Sequence, residues 1–426
     1  MKRAKTNSFI LELPISVTPK DEHTLLARFE AGRKLYNAVL GGSLIRQKRM
    51  REPKAWQAAR AIPIPAGKEG KAVHQERSLT FHAVCDEYRF TSADLSSFDT
   101  HCKNSANYDD RLGAHETQKI AERAFFAAEQ YGYGKRGRPR FKGKSRPLHS
   151  IGSKTNAAGI RWKAATGHVE WHNLTLPAII APEGKDAWQT EALARNTKYC
   201  RALWRNLNGK RRWYVHLIQE GTSPRRHAGV AHGTVGLDIG PSTVAIMSNA
   251  TGELVQFCPS IKQPWKTIRT LQRKLDRSRR ATNPVCYNTD GTWKKRKRQT
   301  VFSKKYGKTL TLIAEAERKL TAERKRSHGE LANTIISHGN IIKAEKLSYR
   351  SFQKNFGRSA KVTAPASFIK TLTRKAESAG GLFVSLDTKG LKLSQYDHIT
   401  WEYVKKPLSQ RWHVLENNGT LVQRDT

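Results

Sequence analysis

The chain has 426 residues, and its 77 lysines and arginines against 36 aspartates and glutamates give a formal net charge of +41. That length allows two or three domains with cores of their own, and such an excess of cations indicates a polyanionic partner, with nucleic acid favoured. A membrane surface is the competing polyanion, but no apolar run approaches the roughly 18 residues of a spanning helix, and the cysteines have no paired spacing that would indicate a disulfide framework.

The N-terminal part begins with an alternating segment, residues 8–16, which predicts a strand. Thr18 and Pro19 then suit the cap and first position of a helix, and apolar residues recur at helical spacing through residues 25–40. Residues 53–107 have a mixed helical pattern, and residues 114–131 are strongly helical.

Residues 132–146, GYGKRGRPRFKGKSR, cannot continue this helix because glycines and a proline interrupt them. Several cations surround Phe141, a composition that suits an irregular loop laid along a phosphate backbone. A solvated linker of the same composition is the alternative.

Residues 160–176 and 199–218 have the alternation of β-structure, and Asn208-Gly209 predicts a hairpin turn in the second segment. The N-terminal half is therefore predicted to be a small sheet or barrel built from strands near both of its ends, with helices inserted between them.

Residues 234–257 predict a strand, a tight turn and an antiparallel meander. Asp238 interrupts the apolar first strand, and Gly240 follows it. A carboxylate in such a run usually has a charged partner or a metal, although an aspartate that caps a turn is an equally open interpretation.

Further along, residues 265–280 predict a very basic helix, and a second helix carries an apolar stripe from Leu312 to Ile336. Together they predict a helical hairpin with a cationic outer face, or simply a solvated hairpin.

Two more acids complete the pattern. Glu345 lies near the end of a predicted strand, residues 340–347, and Asp425 lies at the end of the chain. A further helix and strand are predicted over residues 365–379 and 381–386. Three acids on one domain could converge on two divalent cations, which in a strongly basic chain favours phosphodiester chemistry.

Over nearly its whole length the chain resembles the TnpB-type (OrfB) proteins of bacterial insertion sequences, relatives of the compact type V CRISPR effectors. The resemblance rests on five segments: FEAGRKLYNAVL (29–40), RGRPRFKGK (136–144), GLDIGPSTVAI (236–246), IIKAEKLS (341–348) and the C-terminal tail. It implies a RuvC-like nuclease domain in which Asp238, Glu345 and Asp425 are the catalytic residues and hold Mg²⁺ or Mn²⁺.

Two departures from the family accompany this resemblance. Asp397, Thr400, Leu415 and Asn418 occupy the positions of four zinc-ribbon cysteines, so no zinc is expected, and His398 and His413 do not replace them. The chain also stops one residue after Asp425, where family members continue into a helix, so a C-terminal truncation is left open.

The resemblance implies a mixed α+β and α/β architecture. Residues 1–230 would form the nucleic-acid-binding half, with the helical insertion at about 18–131 and the basic loop at 132–146. Residues 231–426 would form an RNase H-like mixed sheet with helices, with the basic hairpin at about 262–338 and a degenerate, cysteine-less ribbon at about 394–422.

The implied activity is RNA-guided DNA cleavage in a transposon context, in the cytoplasm at the nucleoid, with DNA and a guide RNA from the transposon end as partners. Arg138, Arg140, Lys142 and Lys144 are the expected phosphate contacts. A non-cleaving RNA-guided DNA-binding protein, such as a repressor, is the alternative.

Overall fold

The computed structural model describes residues 6–143, 146–224, 230–261, 264–294 and 300–387, together with residues 390, 403, 412–414 and 421–423. The chain divides into two compact units, Met1–Pro224 and Arg225–Thr426. Both units mix helices and strands, as predicted. Among the described residues, no helix has the length and apolar character needed to cross a membrane.

The first unit combines two sheets with helices. Its elements, in chain order, are β1 (Ser8–Pro14), α1 (Pro19–Arg49), α2 (Lys54–Ala61), α3 (Lys68–Glu87), α4 (Ser92–Ser105), α5 (Ala114–Gly132), β2 (Ser150–Gly152), β3 (Ile160–Lys163), β4 (His168–Trp171), β5 (Leu174–Pro177), α6 (Ala187–Leu193), β6 (Thr197–Leu207) and β7 (Lys210–Glu220).

Strands from both ends of the first unit pair, as predicted. The main sheet has the order β1-β7-β6-β2 and is antiparallel, with Ser8 opposite Glu220. The β6–β7 hairpin turns through Asn208 and Gly209, whose φ angles of 51° and 76° are those of a type I′ turn. A separate antiparallel sheet has the order β3-β4-β5.

Helix α1 begins with the predicted cap, since the Thr18 side chain accepts from the Asp21 N–H and the Asp21 side chain accepts from the Thr18 N–H. Its apolar stripe is buried with α5 and the inner face of the main sheet in one core. Gly32 allows a close approach in this core, because a Cβ there would lie 3.0 Å from Ile151 Cδ1 on β2.

The second unit is built around one sheet. Its elements are β8 (Thr234–Ile239), β9 (Thr243–Met247), β10 (Gly252–Gln256), α7 (Pro264–Thr282), α8 (Lys304–His338), β11 (Ile341–Glu345), α9 (Tyr349–Asn355), α10 (Gly357–Thr363), α11 (Pro365–Ser378), β12 (Leu382–Leu386), β13 (Trp412–Val414) and β14 (Leu421–Gln423).

The main sheet of the second unit has the order β10-β9-β8-β11-β12. Strands β8, β9 and β10 form the predicted antiparallel meander, whereas β8, β11 and β12 run parallel to one another. Helices α8 and α11 bury apolar side chains, including Ile335 and Phe368, with one face of this sheet. Strands β13 and β14 form a separate antiparallel pair.

Helices α7 and α8 pack together, as the hairpin prediction expected, but the predicted stripe on α8 is buried only in part. Leu320, Leu331, Ile335 and Ile336 are buried, whereas Leu312 is 53% exposed. The stripe is therefore buried from about Leu320 onward and joins the core of the sheet from Leu331, whereas Leu312, toward the N-terminal end of the helix, stays outside that core.

Candidate active site

Asp238 and Glu345 lie at the carboxyl ends of neighbouring parallel strands. Strand β8 pairs with β11 in a register that places Leu237 beside Ala344, and each acid is the next residue on its strand. The two acids therefore occupy equivalent positions at one edge of the sheet, where ligand and catalytic groups collect in sheets with parallel strands.

Both acids belong to the sheet face opposite α8 and α11. Val235, Leu237 and Ile239 on β8, and Ile342 and Ala344 on β11, are buried in the core. Because side chains alternate along a strand, Asp238 and Glu345 project from the other face. A slip of one residue between the strands would separate them.

Residues at the start of the parallel strands fix this register. The Gly233 carbonyl accepts hydrogen bonds from the N–H groups of Asn340 (3.1 Å) and Ile341 (3.0 Å), and the Gly233 N–H donates to Asn340 Oδ1 at 3.1 Å. The Asn340 carbonyl also accepts from the Leu382 N–H at 2.7 Å. Asn340 thereby connects β8, β11 and β12 at the edge opposite the acids.

The two carboxyl groups differ in environment. Asp238 is exposed, whereas Glu345 is partly buried, and burial raises the pKa of Glu345 above its usual value. A raised pKa means that the surroundings disfavour the carboxylate anion. A cation bound beside Glu345 would reverse that preference.

A cleft of about 440 Å³ opens beside Asp238. The turn after β8, with Gly240 and Ser242, forms one wall, and Leu347, Phe352 and Phe356 contribute apolar side chains. The Phe352 and Phe356 rings meet edge to face with centroids 6.1 Å apart. The candidate site is therefore a carboxylate pair next to a partly aromatic cleft.

The donor set fits a hard divalent cation. Mg²⁺ and Mn²⁺ prefer carboxylate oxygens, and Mg²⁺ commonly uses one or two carboxylates with water and phosphate oxygens. Asp238 and Glu345 supply two such groups on one face. The third predicted ligand, Asp425, lies outside the described residues, and among those that are described no group of three His, Cys, Asp or Glu side chains forms a metal cluster.

The predicted ribbon falls mostly outside the described part of the chain. Asp397, His398, Thr400, Leu415 and Asn418 all lie there, whereas Tyr403 and the pairing of β13 with β14, which places His413 opposite Val422, are described. The absence of zinc stays a prediction.

The basic loop of the first unit begins where α5 ends, as predicted. Arg138, Arg140 and Lys142 are described, and Lys144 is not. Arg138 and Arg140 are exposed. The loop is docked on α1, because the Lys142 N–H donates to Asn37 Oδ1 and the Lys142 carbonyl accepts from Asn37 Nδ2, both at 2.8 Å.

Arg33 and Asn37 position the basic loop, and the sequence alone did not indicate this role. Arg33 Nη1 also donates to the Lys142 carbonyl at 2.8 Å, and Glu30 holds the other side of its guanidinium. Both arginine and asparagine lie in the FEAGRKLYNAVL segment. Their polar character on a helix with a buried apolar stripe was the available signal, but it did not identify the loop as their partner.

Comparison with solved structures gives likenesses at low sequence identity. No family model matches the chain, and no curated protein matches it. The chain is similar to a solved Cas12f1–sgRNA–target DNA complex, with 12% identity, 92% of this chain and 91% of that chain covered, and a TM-score of 0.42. It is also similar to a CRISPR-Cas12f ternary complex, with 12% identity, coverage of 98% and 97%, and a TM-score of 0.29. The resemblance to TnpB-type proteins stays a prediction.

Proposed function

We propose that this protein is an RNA-guided DNA endonuclease of the TnpB type, associated with a transposon, that cleaves phosphodiester bonds at a RuvC-like site. The observation that carries the proposal is the position of Asp238 and Glu345 on adjacent parallel strands, on one face and at one edge of the sheet. These residues and the charge of the chain support the nuclease site, and the sequence resemblance of the five segments supports the TnpB type, the guide RNA and the transposon.

The sheet arrangement supports an RNase H-like domain. Such a domain has a mixed sheet in which an antiparallel meander continues into parallel strands, and the order β10-β9-β8-β11-β12 agrees with that description. The ribbon remnant at about 394–422 would be an insertion after the last parallel strand.

Asp238, Glu345 and Asp425 would hold Mg²⁺ or Mn²⁺. When bound, the divalent cations neutralise charge on the phosphate under attack and lower the pKa of the attacking water. The protein contributes the fixed spacing of two carboxylates on a hydrogen-bonded sheet, so little reorganisation is needed when the phosphate arrives. Leu347, Phe352 and Phe356 give the cleft beside Asp238 an apolar wall.

The proposed partners are a guide RNA from the transposon end and target DNA. A net charge of +41 is suited to both backbones, and the sequence of the target would be read by base pairing with the guide. Arg138, Arg140, Lys142 and Lys144 would contact phosphates, with Lys142 held in place by its bonds to α1.

The test uses protein purified with RNA transcribed from its own locus and a library of target DNA, with Mg²⁺ or with EDTA. Asp238→Asn and Glu345→Gln remove a charge with little change of shape, and Glu377→Gln, at an exposed position on α11, is the matched control. We expect cutting that needs metal, survives in the control, and falls at least about 100-fold in either site variant because both ligands are needed. Guide-dependent binding without cutting, equal in wild type and site variants, would instead support the repressor.

A further inference from the structure

Two adjoining clefts of the first unit share one side chain, Tyr36. One cleft, of about 580 Å³, contains Arg123 and Arg201, and the other, of about 500 Å³, contains Lys142 and Arg146. We call the two together the Tyr36 trough. They bring together groups from α1, α5, β6 and the basic loop, which are far apart in the sequence.

Two cations of the trough, Arg123 and Lys142, are anchored to neighbouring elements. Arg123 Nη1 donates to the Ser150 carbonyl at 3.2 Å and lies 3.3 Å from Ser150 Oγ. The backbone of Lys142 is bonded to Asn37, and Lys142 Nζ lies 5.7 Å from the centre of the Tyr36 ring. Little conformational entropy would therefore be lost when a ligand binds.

The positive charge of the trough is poorly compensated. Burial lowers the pKa of Lys142, and Arg123 and Arg146 lower it further. Burial also lowers the pKa of Arg123, with Tyr36 acting to raise that pKa and Arg201 to lower it. Among the described residues that line the two clefts, Glu122 is the one acid. Its carboxylate lies 2.6 Å from Lys119 Nζ, so that acid is already shared with another cation.

An exposed aromatic ring stands in each cleft. Phe126 lines the first and Phe141 the second, and they are 52% and 53% exposed. Clefts that combine cations with exposed rings are suited to single-stranded nucleic acid, because the cations pair with phosphates and the rings stack on unpaired bases. In a duplex the faces of the bases are already stacked.

We propose that the Tyr36 trough binds a short single-stranded stretch of nucleic acid, with Arg123 and Arg201 on one phosphate, Lys142 and Arg146 on another, and Phe126 and Phe141 against the bases. RNA and DNA share this chemistry. The inference rests on the proposed function only in that the protein binds nucleic acid; it does not depend on cleavage.

The test measures binding by fluorescence anisotropy of labelled oligonucleotides of mixed sequence as single-stranded RNA, single-stranded DNA and duplex DNA. The full chain carries Asp238→Asn, and EDTA is present, so binding is measured without cutting. Arg123→Gln with Arg201→Gln is compared with Arg60→Gln and Arg195→Gln, which remove the same charge at exposed positions of the same unit.

We expect the trough variant to bind single strands at least about tenfold more weakly than the control, with a salt slope smaller by about 0.7, since both arginines are assigned to one phosphate. Phe126→Ala with Phe141→Ala removes only exposed rings, and we expect it to weaken binding about tenfold without changing the salt slope. The RNA and DNA arms identify which strand occupies the trough.

Equal affinity and equal salt slope in the trough and control variants would overturn the inference. A loss of the same size on duplex DNA would overturn the single-strand assignment. Because no arm measures cutting, loss of the proposed nuclease activity and loss of this binding site are separate results.

Discussion

Asp99 on α4 allows a quantitative test of how the first unit is stabilised. Its side chain is fully buried, and both of its carboxyl oxygens lack a hydrogen-bond partner among the described residues. Burial raises the pKa of Asp99 from 3.8 to about 7. The folded chain therefore keeps a proton that the unfolded chain releases above about pH 4, and the contribution of Asp99 to stability falls as the pH rises from about 4 to about 7.

The size of this effect follows from the pKa. A rise of about three in the pKa of Asp99 corresponds to a loss of folding stability of at most about 4 kcal/mol above pH 7. Water penetration and local relaxation reduce this loss to about 1–3 kcal/mol. Asp99→Asn removes the ionisation, so we expect the variant to be more stable than wild type at pH 8, by about 2–12 °C in Tm, and equal to it near pH 4.

The assay is thermal unfolding followed by tryptophan fluorescence across this pH range. Asp86→Asn is the matched control, because it removes the same charge at an exposed site on α3. Parallel pH profiles for wild type and Asp99→Asn would show that Asp99 is solvated or paired, and would refute the reasoning. The result bears on the basic loop as well, because α4 packs against α1 and α5 and the loop is docked on α1.

Three further results are expected. Gly339→Ala should destabilise the second unit by about 1–3 kcal/mol and reduce cleavage, because a Cβ would lie 2.6 Å from the Gly233 carbonyl oxygen. Urea unfolding measures the loss of stability. Gly307→Ala is the control and should cost no stability, because a Cβ there meets nothing within 4 Å. Hydrogen bonding to His216, and then to Arg205, lowers the pKa of Glu12 to about 2. Ionised Glu12 therefore contributes stability, about 1 kcal/mol or less at this exposure, which should disappear as the pH falls from 4.5 to 2. Glu12→Gln should flatten that part of the profile of Tm against pH. Burial raises the pKa of Cys200 to about 12, so iodoacetamide should leave it unmodified in the folded protein at pH 8, as mass spectrometry of peptides would show.

Local patterns in the sequence were sufficient for most of the elements. The Thr18 cap, the alternation of β7 and the Asn208-Gly209 turn each depend on residues within one or two turns of the chain, and the structure confirms all three. Leu312 belongs to the predicted apolar stripe of α8, yet it is exposed. Helical periodicity shows which side of α8 is apolar but not how far along the helix the sheet extends.

Contacts between distant segments could not be predicted in the same way. The bonds from Asn37 to Lys142 join residues 105 positions apart. Arg123 and Arg201 line the same cleft because β6 pairs with β2. A single polar residue on a helix has many possible partners, so the sequence indicated a basic loop without showing what holds it.

The candidate active site also depends on both local patterns and a contact between distant segments. The sequence placed Asp238 and Glu345 on strands, but Asp238 alone was compatible with a turn cap, and either acid alone was weak evidence for a site. Their juxtaposition depends on the parallel pairing of β8 with β11, which Gly233 and Asn340 fix at the other end of both strands. Because side chains alternate along a strand, this pairing, more than the identity of either acid, decides whether the two carboxylates can share a cation. Asn340 lies at the opposite end of these strands from the acids, and its side-chain bond to the Gly233 N–H helps to hold the two carboxylates in register.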